Sequence, residues 1–147
     1  MSGTRAALAA VEAQYLRDRA AHSLGIELLS VSSGSVQIAM RIRADMLNGH
    51  GTCHGGIVFT LADTAFAYAC NSHGTPMVAA GASIEFLAPA NPGERLIAAA
   101  TETSRGERYG IYDVTIRNEA GEVRAHFRGR CARFRAAAQP PTNPGPT

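Results

Sequence analysis

The segment from Gly55 to Asn71, GGIVFTLADTAFAYACN, is apolar at almost every position, rich in alanine and free of proline. At about 1.5 Å of rise per residue it makes a helix roughly 25 Å long. A helix that is greasy on nearly every side must be buried on nearly every side. The chain has 147 residues, enough for one domain, so the remainder has to wrap this helix. Its few polar residues, Thr60, Asp63, Thr64 and Asn71, fall three, four or seven apart with Ala67 between them, on one stripe where a buried helix can meet a ligand.

The flanks supply the wrapping. Residues from about Thr4 to Ser23 carry Leu8, Val11, Tyr15 and Leu16 at helical spacing, with Gly25 beyond as a stop. Ile26 to Val31 and Ser35 to Arg43 are rich in branched residues around Ser32-Ser33-Gly34 and read as a hairpin. After Pro76 come four strand-like runs: Met77 to Leu87, Arg95 to Ser104, Tyr109 to Arg117 and Glu122 to Phe134. Short turns rich in Gly, Pro and Asn separate them, which argues for an antiparallel sheet. In the last run Val123, Ala125, Phe127, Gly129 and Cys131 alternate with Glu122, Arg124, His126, Arg128 and Arg130, giving one buried and one wet face. The expected fold is α+β, an antiparallel sheet curled around one long central helix with an N-terminal helix, and a partner subunit covering what one sheet cannot. A single domain over 1–135 is expected, with 136–147, AAAQPPTNPGPT, as a disordered tail.

Composition excludes several classes. A formal charge of +2 falls far short of a nucleic-acid footprint. No apolar run has the length of a membrane span, and the start MSGTRAALAAVEAQ lacks the pattern of a secretory signal, so a cytoplasmic location is expected, without membrane or nucleic-acid partners. Cys53, Cys70 and Cys131 are odd in number and unpaired in spacing, which reads as reduced, partly buried thiols.

The chemistry concentrates in Asn48-Gly49-His50-Gly51-Thr52-Cys53-His54-Gly55-Gly56 and the helix that follows. A glycine-rich loop opening a helix presents N–H groups without intrahelical partners, donors that suit an oxyanion. Asp63, eight residues past Gly55, is the only carboxylate on the helix. A buried acid without an evident basic neighbour is costly, which motivates a chemical task for it. The residues also fit a plainer reading, in which Asp63 accepts structural hydrogen bonds and Gly55 and Gly56 serve close packing.

The run NGHGTCHGGIVFTLADTAFAYACNSHG, with its asparagine, HGG and LAD, closely resembles the phenylacetic acid degradation thioesterases, the PaaI branch of the hotdog superfamily. The likeness extends to Ser83–Ala90, Arg108–Val114 and Asn118–Glu122, so it covers most of the chain between Leu24 and Arg135. The resemblance implies a hotdog fold and a homodimer with edge-joined sheets and active sites at the subunit interface, often paired again into a homotetramer. It implies hydrolysis of acyl-CoA, with aryl acyl groups such as hydroxyphenylacetyl or phenylacetyl as the expected substrates. The Gly55 N–H would polarise the thioester carbonyl, Asn48 would position the acyl end, and Asp63 of the opposite subunit would act as general base or nucleophile. His54 would brace the loop, Gly56 and Thr64 would adjoin the substrate, and Ala67 stands where related enzymes hold water with a threonine. No metal and no cofactor beyond the CoA of the substrate is implied.

Rival constellations fare worse on residue types and spacing. Cys53, His54 and Asp63 are too close in sequence to aim at one another as a nucleophile, base and orienter. His50, Cys53, His54 and Asp63 match no compact zinc spacing. The basic run on the last strand, with Arg105 and Arg108 in the preceding turn, suits either a solvated face or CoA phosphates, for which Arg108 and Arg128 are the candidates. Two alternatives to hydrolysis stay open. An acyl-thioester dehydratase or hydratase would call for a catalytic histidine beside the carboxylate. A noncatalytic acyl-CoA-binding protein would bind without turnover.

Overall fold

A computed structural model describes residues 2–134. Its elements run α1 (Ser2–Arg17), α2 (Arg19–Ser23), β1 (Glu27–Ser32), β2 (Ser35–Arg41), α3 (Gly55–Asn71), β3 (Met77–Phe86), β4 (Arg95–Arg105), β5 (Tyr109–Arg117) and β6 (Val123–Arg133), with a 3-10 turn at Ala44–Met46. The six strands form one sheet in the order β1-β2-β4-β5-β6-β3. Every pairing is antiparallel. α3 packs against β2 through β6, which is the wrapping its apolar surface demanded. The expected tail at 136–147 lies outside the described residues. Among those described, no helix is long and apolar enough to cross a membrane.

Small residues let the sheet close on the helix. Leu61, Ala62, Ala65, Phe66 and Ala69 are fully buried against Ile38, Leu96, Ala98, Val114, Ile116 and Ala125. Gly129 of β6 faces the Phe66 ring, and Phe66 also meets Tyr112 and Phe127 with ring centroids 5.9 and 5.7 Å apart. Such packing fixes how α3 lies on the sheet, and with it the direction in which its polar stripe points.

Two features depart from the sequence expectation. The N-terminal helix breaks at Asp18, whose Oδ1 caps α2 by accepting the Ala21 N–H at 3.0 Å while its Oδ2 accepts the Tyr68 hydroxyl at 2.8 Å. Arg124 leaves the wet face of β6. Ile116 pairs with Ala125 but Arg117 pairs with Val123, so Arg124 is the extra residue of a bulge, and bulges re-aim side chains. β3 lies at the sheet edge, largely exposed, and Val78, Phe86 and Leu87 are also exposed there.

Candidate active site

The turn before α3 holds itself by its own polar groups. The Asn48 N–H donates to Thr52 O at 2.8 Å, and Asn48 Oδ1 accepts from the N–H groups of His50 and Thr52 at 2.9 and 3.2 Å. Gly51 sits at φ 80°, a conformation that favours glycine. Further on, the Cys53 N–H donates to Ala90 O and the His54 N–H to Met46 O, each at 2.8 Å. The start of α3 is thereby tied to two separate parts of the fold.

At that start the orphan donors are nearly all spoken for. His54 is the N-cap, and its Nδ1 accepts the Gly56 N–H at 2.9 Å. The N–H groups of Ile57 and Val58 both donate to His54 O. Gly55 alone keeps an N–H without an acceptor among the described residues. The His54 cap occupies the Gly56 donor. The Gly55 N–H therefore remains for a ligand.

Gly55 and Asn48 share a cavity of about 330 Å³ whose wall includes Val58, Phe86, Leu87 and Arg124. The Phe86 ring sits over Gly55: a Cβ built on that glycine would lie 3.1 Å from Phe86 Cζ. In the sequence, Arg124 stands only as one member of the basic run on the last strand. Phe86 reads as an ordinary strand residue, and no sequence signal marks the bulge that turns Arg124.

Asp63 is half-buried on α3, and its carboxylate has no hydrogen-bond or ion-pair partner among the described residues. Burial raises its pKa above the ordinary value, and the negative charge of Asp18 adds to the rise. Eight residues of helix put Asp63 about 12 Å along the axis from Gly55, too far for both to act on one carbonyl within a protomer. The Thr64 hydroxyl is committed to Thr60 O at 2.7 Å, a local backbone bond that competes with any contact to substrate.

The basic candidates divide. Arg128 is held by Asp113 in a two-pronged pair, Nε to Oδ1 at 2.8 Å and Nη2 to Oδ2 at 2.9 Å, so its charge is already matched. Arg108 is exposed, with only its carbonyl bonded, to the Arg133 N–H. A second cavity of about 420 Å³ at the C-terminal end of α3 is lined by Arg105 and Arg133 together with His73. All three cysteines are free and buried. Burial pushes the Cys53 thiol up to about 11, which keeps it protonated and poorly nucleophilic. Among the described residues no cluster of His, Cys, Asp or Glu side chains has the makings of a metal site.

Comparison with known proteins fits this geometry. A family model described as the thioesterase superfamily matches residues 50–125. Acyl-coenzyme A thioesterase PaaI of Escherichia coli (strain K12) is 46% identical over 122 residues, 83% of this chain and 87% of that protein. The solved structure of the E. coli PaaI protein from the phenylacetic acid degradation operon superposes with a TM-score of 0.89 at 42% identity, covering 90% of this chain and 96% of that one. A mutant of the phenylacetic acid degradation protein PaaI from Thermus thermophilus gives 0.77 at 37% identity, covering 80% and 100%. A Gly55 donor and an unpartnered acid on one apolar helix, in a sheet of this order, are thus set in a known lineage: the chain belongs to the thioesterase superfamily, among its PaaI-type hotdog enzymes.

Proposed function

We propose that this protein hydrolyses aryl acyl-CoA thioesters, hydroxyphenylacetyl-CoA or phenylacetyl-CoA among them, to the free acid and CoA, at sites shared between two protomers. The observation that carries the reading is the one unpartnered N–H at the start of α3, that of Gly55, opening on a cavity beside the Asn48 amide. The thioester oxygen accepts from Gly55, whose donor is aimed before the substrate arrives and is worth about 10²–10³ in rate at comparable sites. Asn48, locked by its own turn, positions the acyl end.

The acid comes from across an interface, since Gly55 and Asp63 of one protomer stand too far apart. The free edge of β3, with its exposed Val78, Phe86 and Leu87, supplies the surface on which a second copy adds its own β3. Antiparallel α3 helices then bring the partner subunit's Asp63 toward Gly55. In one route the carboxylate takes a proton from water as the water attacks the carbonyl carbon. In the other it attacks directly, and water cleaves the resulting mixed anhydride. In both the C–S bond breaks, the electron pair leaves on sulfur, and CoA departs as thiolate or thiol. The carried-over assembly is a cytoplasmic homodimer that pairs again into a homotetramer. His54 and Gly56 shape the Gly55 side of the site and Thr64 stands beside the acid on the other side, while Arg108 and, less freely, Arg128 are the surface cations offered to CoA phosphates.

The test is thiol release from a panel of aryl and aliphatic acyl-CoAs by wild type and by Asp63→Asn. Wild type turns over the aryl members fastest; the variant stays folded and dimeric but loses at least about 10²-fold in kcat, the usual scale for a missing base. A wild-type protein inert across the panel, or a variant of nearly full activity, removes the reading.

A further inference from the structure

The surroundings of Arg124 answer for only part of its chemistry. Its side chain is just 11% exposed, because the bulge in β6 turns it off the wet face and into the wall of the cavity that holds Asn48 and Gly55. Burying a guanidinium is costly unless its donors find acceptors. Of the five N–H donors an arginine carries, one on Nη2 meets Glu94 Oε2 at 2.9 Å and one on Nη1 reaches Glu122 Oε2 at only 3.4 Å. Nε is buried with no acceptor among the described residues.

Glu94 has no more to give. Asn118 Nδ2 donates to its Oε2 at 2.6 Å and the Asn91 N–H to its Oε1 at 2.6 Å. The pair fixes the guanidinium in place and leaves most of its donors unused. Around it, Val58, Phe86, Leu87 and Pro89 make the wall apolar. A largely apolar chamber walled by a fixed guanidinium, its charge matched by Glu94 and Glu122 but with N–H donors to spare, suits a ligand with an apolar body and an oxygen acceptor.

We propose that Arg124 determines acyl specificity at this site, donating from the cavity wall to an oxygen carried by the acyl group, so that the preferred thioesters bear such an acceptor beyond an apolar stem. The inference rests on the thioesterase reading above and narrows its substrate class. Arg124 takes no part in breaking the C–S bond; it selects which acyl group is held.

The experiment compares hydroxyphenylacetyl-CoAs with the hydroxyl at each ring position against their methyl counterparts and unsubstituted phenylacetyl-CoA. For wild type, kcat/KM for the best hydroxyl substrate exceeds that of its methyl isostere by at least about tenfold, the scale of one hydrogen bond to a charged group. Arg124→Met erases that ratio and leaves the methyl substrates within about threefold of wild type. If Arg124→Met does not fold, Arg124→Lys, which keeps the charge beside Glu94 and loses the fork, lowers the ratio instead. A wild-type ratio near one at every ring position overturns the proposal. So does a loss in the variant that is equal on all substrates, the signature of a loop-positioning role or of a contact to the CoA arm. Wild-type inactivity on every acyl-CoA sinks the thioesterase reading instead.

Discussion

Gly129 on β6 and Phe66 on α3 touch so closely that a Cβ added to the glycine would stand 2.7 Å from the ring. Phe66 is fully buried, so it has nowhere to retreat. Gly129→Ala is therefore expected to destabilise the fold by about 1–3 kcal/mol through overpacking. Thermal unfolding followed by circular dichroism checks this, and an unchanged midpoint would show that α3 can lift off the sheet at little cost.

The activity should have an acid limb above the ordinary carboxylate range. In the proposed mechanism Asp63 works only as the carboxylate, and both burial and the charge on Asp18 raise its pKa. Turnover is full above that raised value and fades as pH falls through it. Asp18→Asn removes the second cause, so the limb of kcat/KM against pH moves to lower pH. A limb that stays put in this variant would separate the two residues.

Sites divided between protomers should be repairable by mixing. In the proposed shared site, Asp63→Asn and Asn48→Ala homodimers are each expected to be poorly active, whereas a mixed dimer carries one intact site and one doubly damaged site. Random reassortment of equal amounts restores about a quarter of wild-type activity, half the dimers being mixed and each having one of two sites whole. Assaying after denaturing and refolding the two together provides the measurement; no recovery means that Asp63 and Asn48 act within one chain.

Glu94 should contribute to acid stability. Burial alone would raise its pKa, but hydrogen bonds from Asn118, the Asn91 N–H and Arg124 hold it down to about 2, against 4.5 for the free side chain. A depressed folded-state value means stability that is present above the unfolded pKa and lost as pH drops from about 4.5 toward 2. Urea midpoints measured across that window fall in wild type, and Glu94→Gln flattens this part of the slope.

Much of this is legible in the residues. The bounds of α3 at Gly55 and Asn71 can be read because a glycine pair opens it and its apolar run ends in a polar turn. Those of β5 at Tyr109 and Arg117 can be read because its alternation is uninterrupted. What escapes depends on tertiary partners. Asp18, where the N-terminal helix breaks, caps α2 and accepts the hydroxyl of Tyr68, a partner fifty residues away that the local sequence does not announce. Arg124 looks like its neighbours His126, Arg128 and Arg130, since a bulge is a relation between two strands and leaves no mark on one. The site is half legible: the donor turn can be read from local glycines, whereas the emptiness around Asp63 and the ring over Gly55 are facts of packing.

The bare edge of β3 has a consequence for handling the protein. As a single folded chain, the protein offers any passing strand an open row of backbone donors and acceptors, flanked by Val78, Phe86 and Leu87. Dilution, and slow refolding at high concentration, therefore threaten it in opposite ways. On the proposed assembly the first leaves unmated chains with half a site, and the second invites wrong matings that end in precipitate.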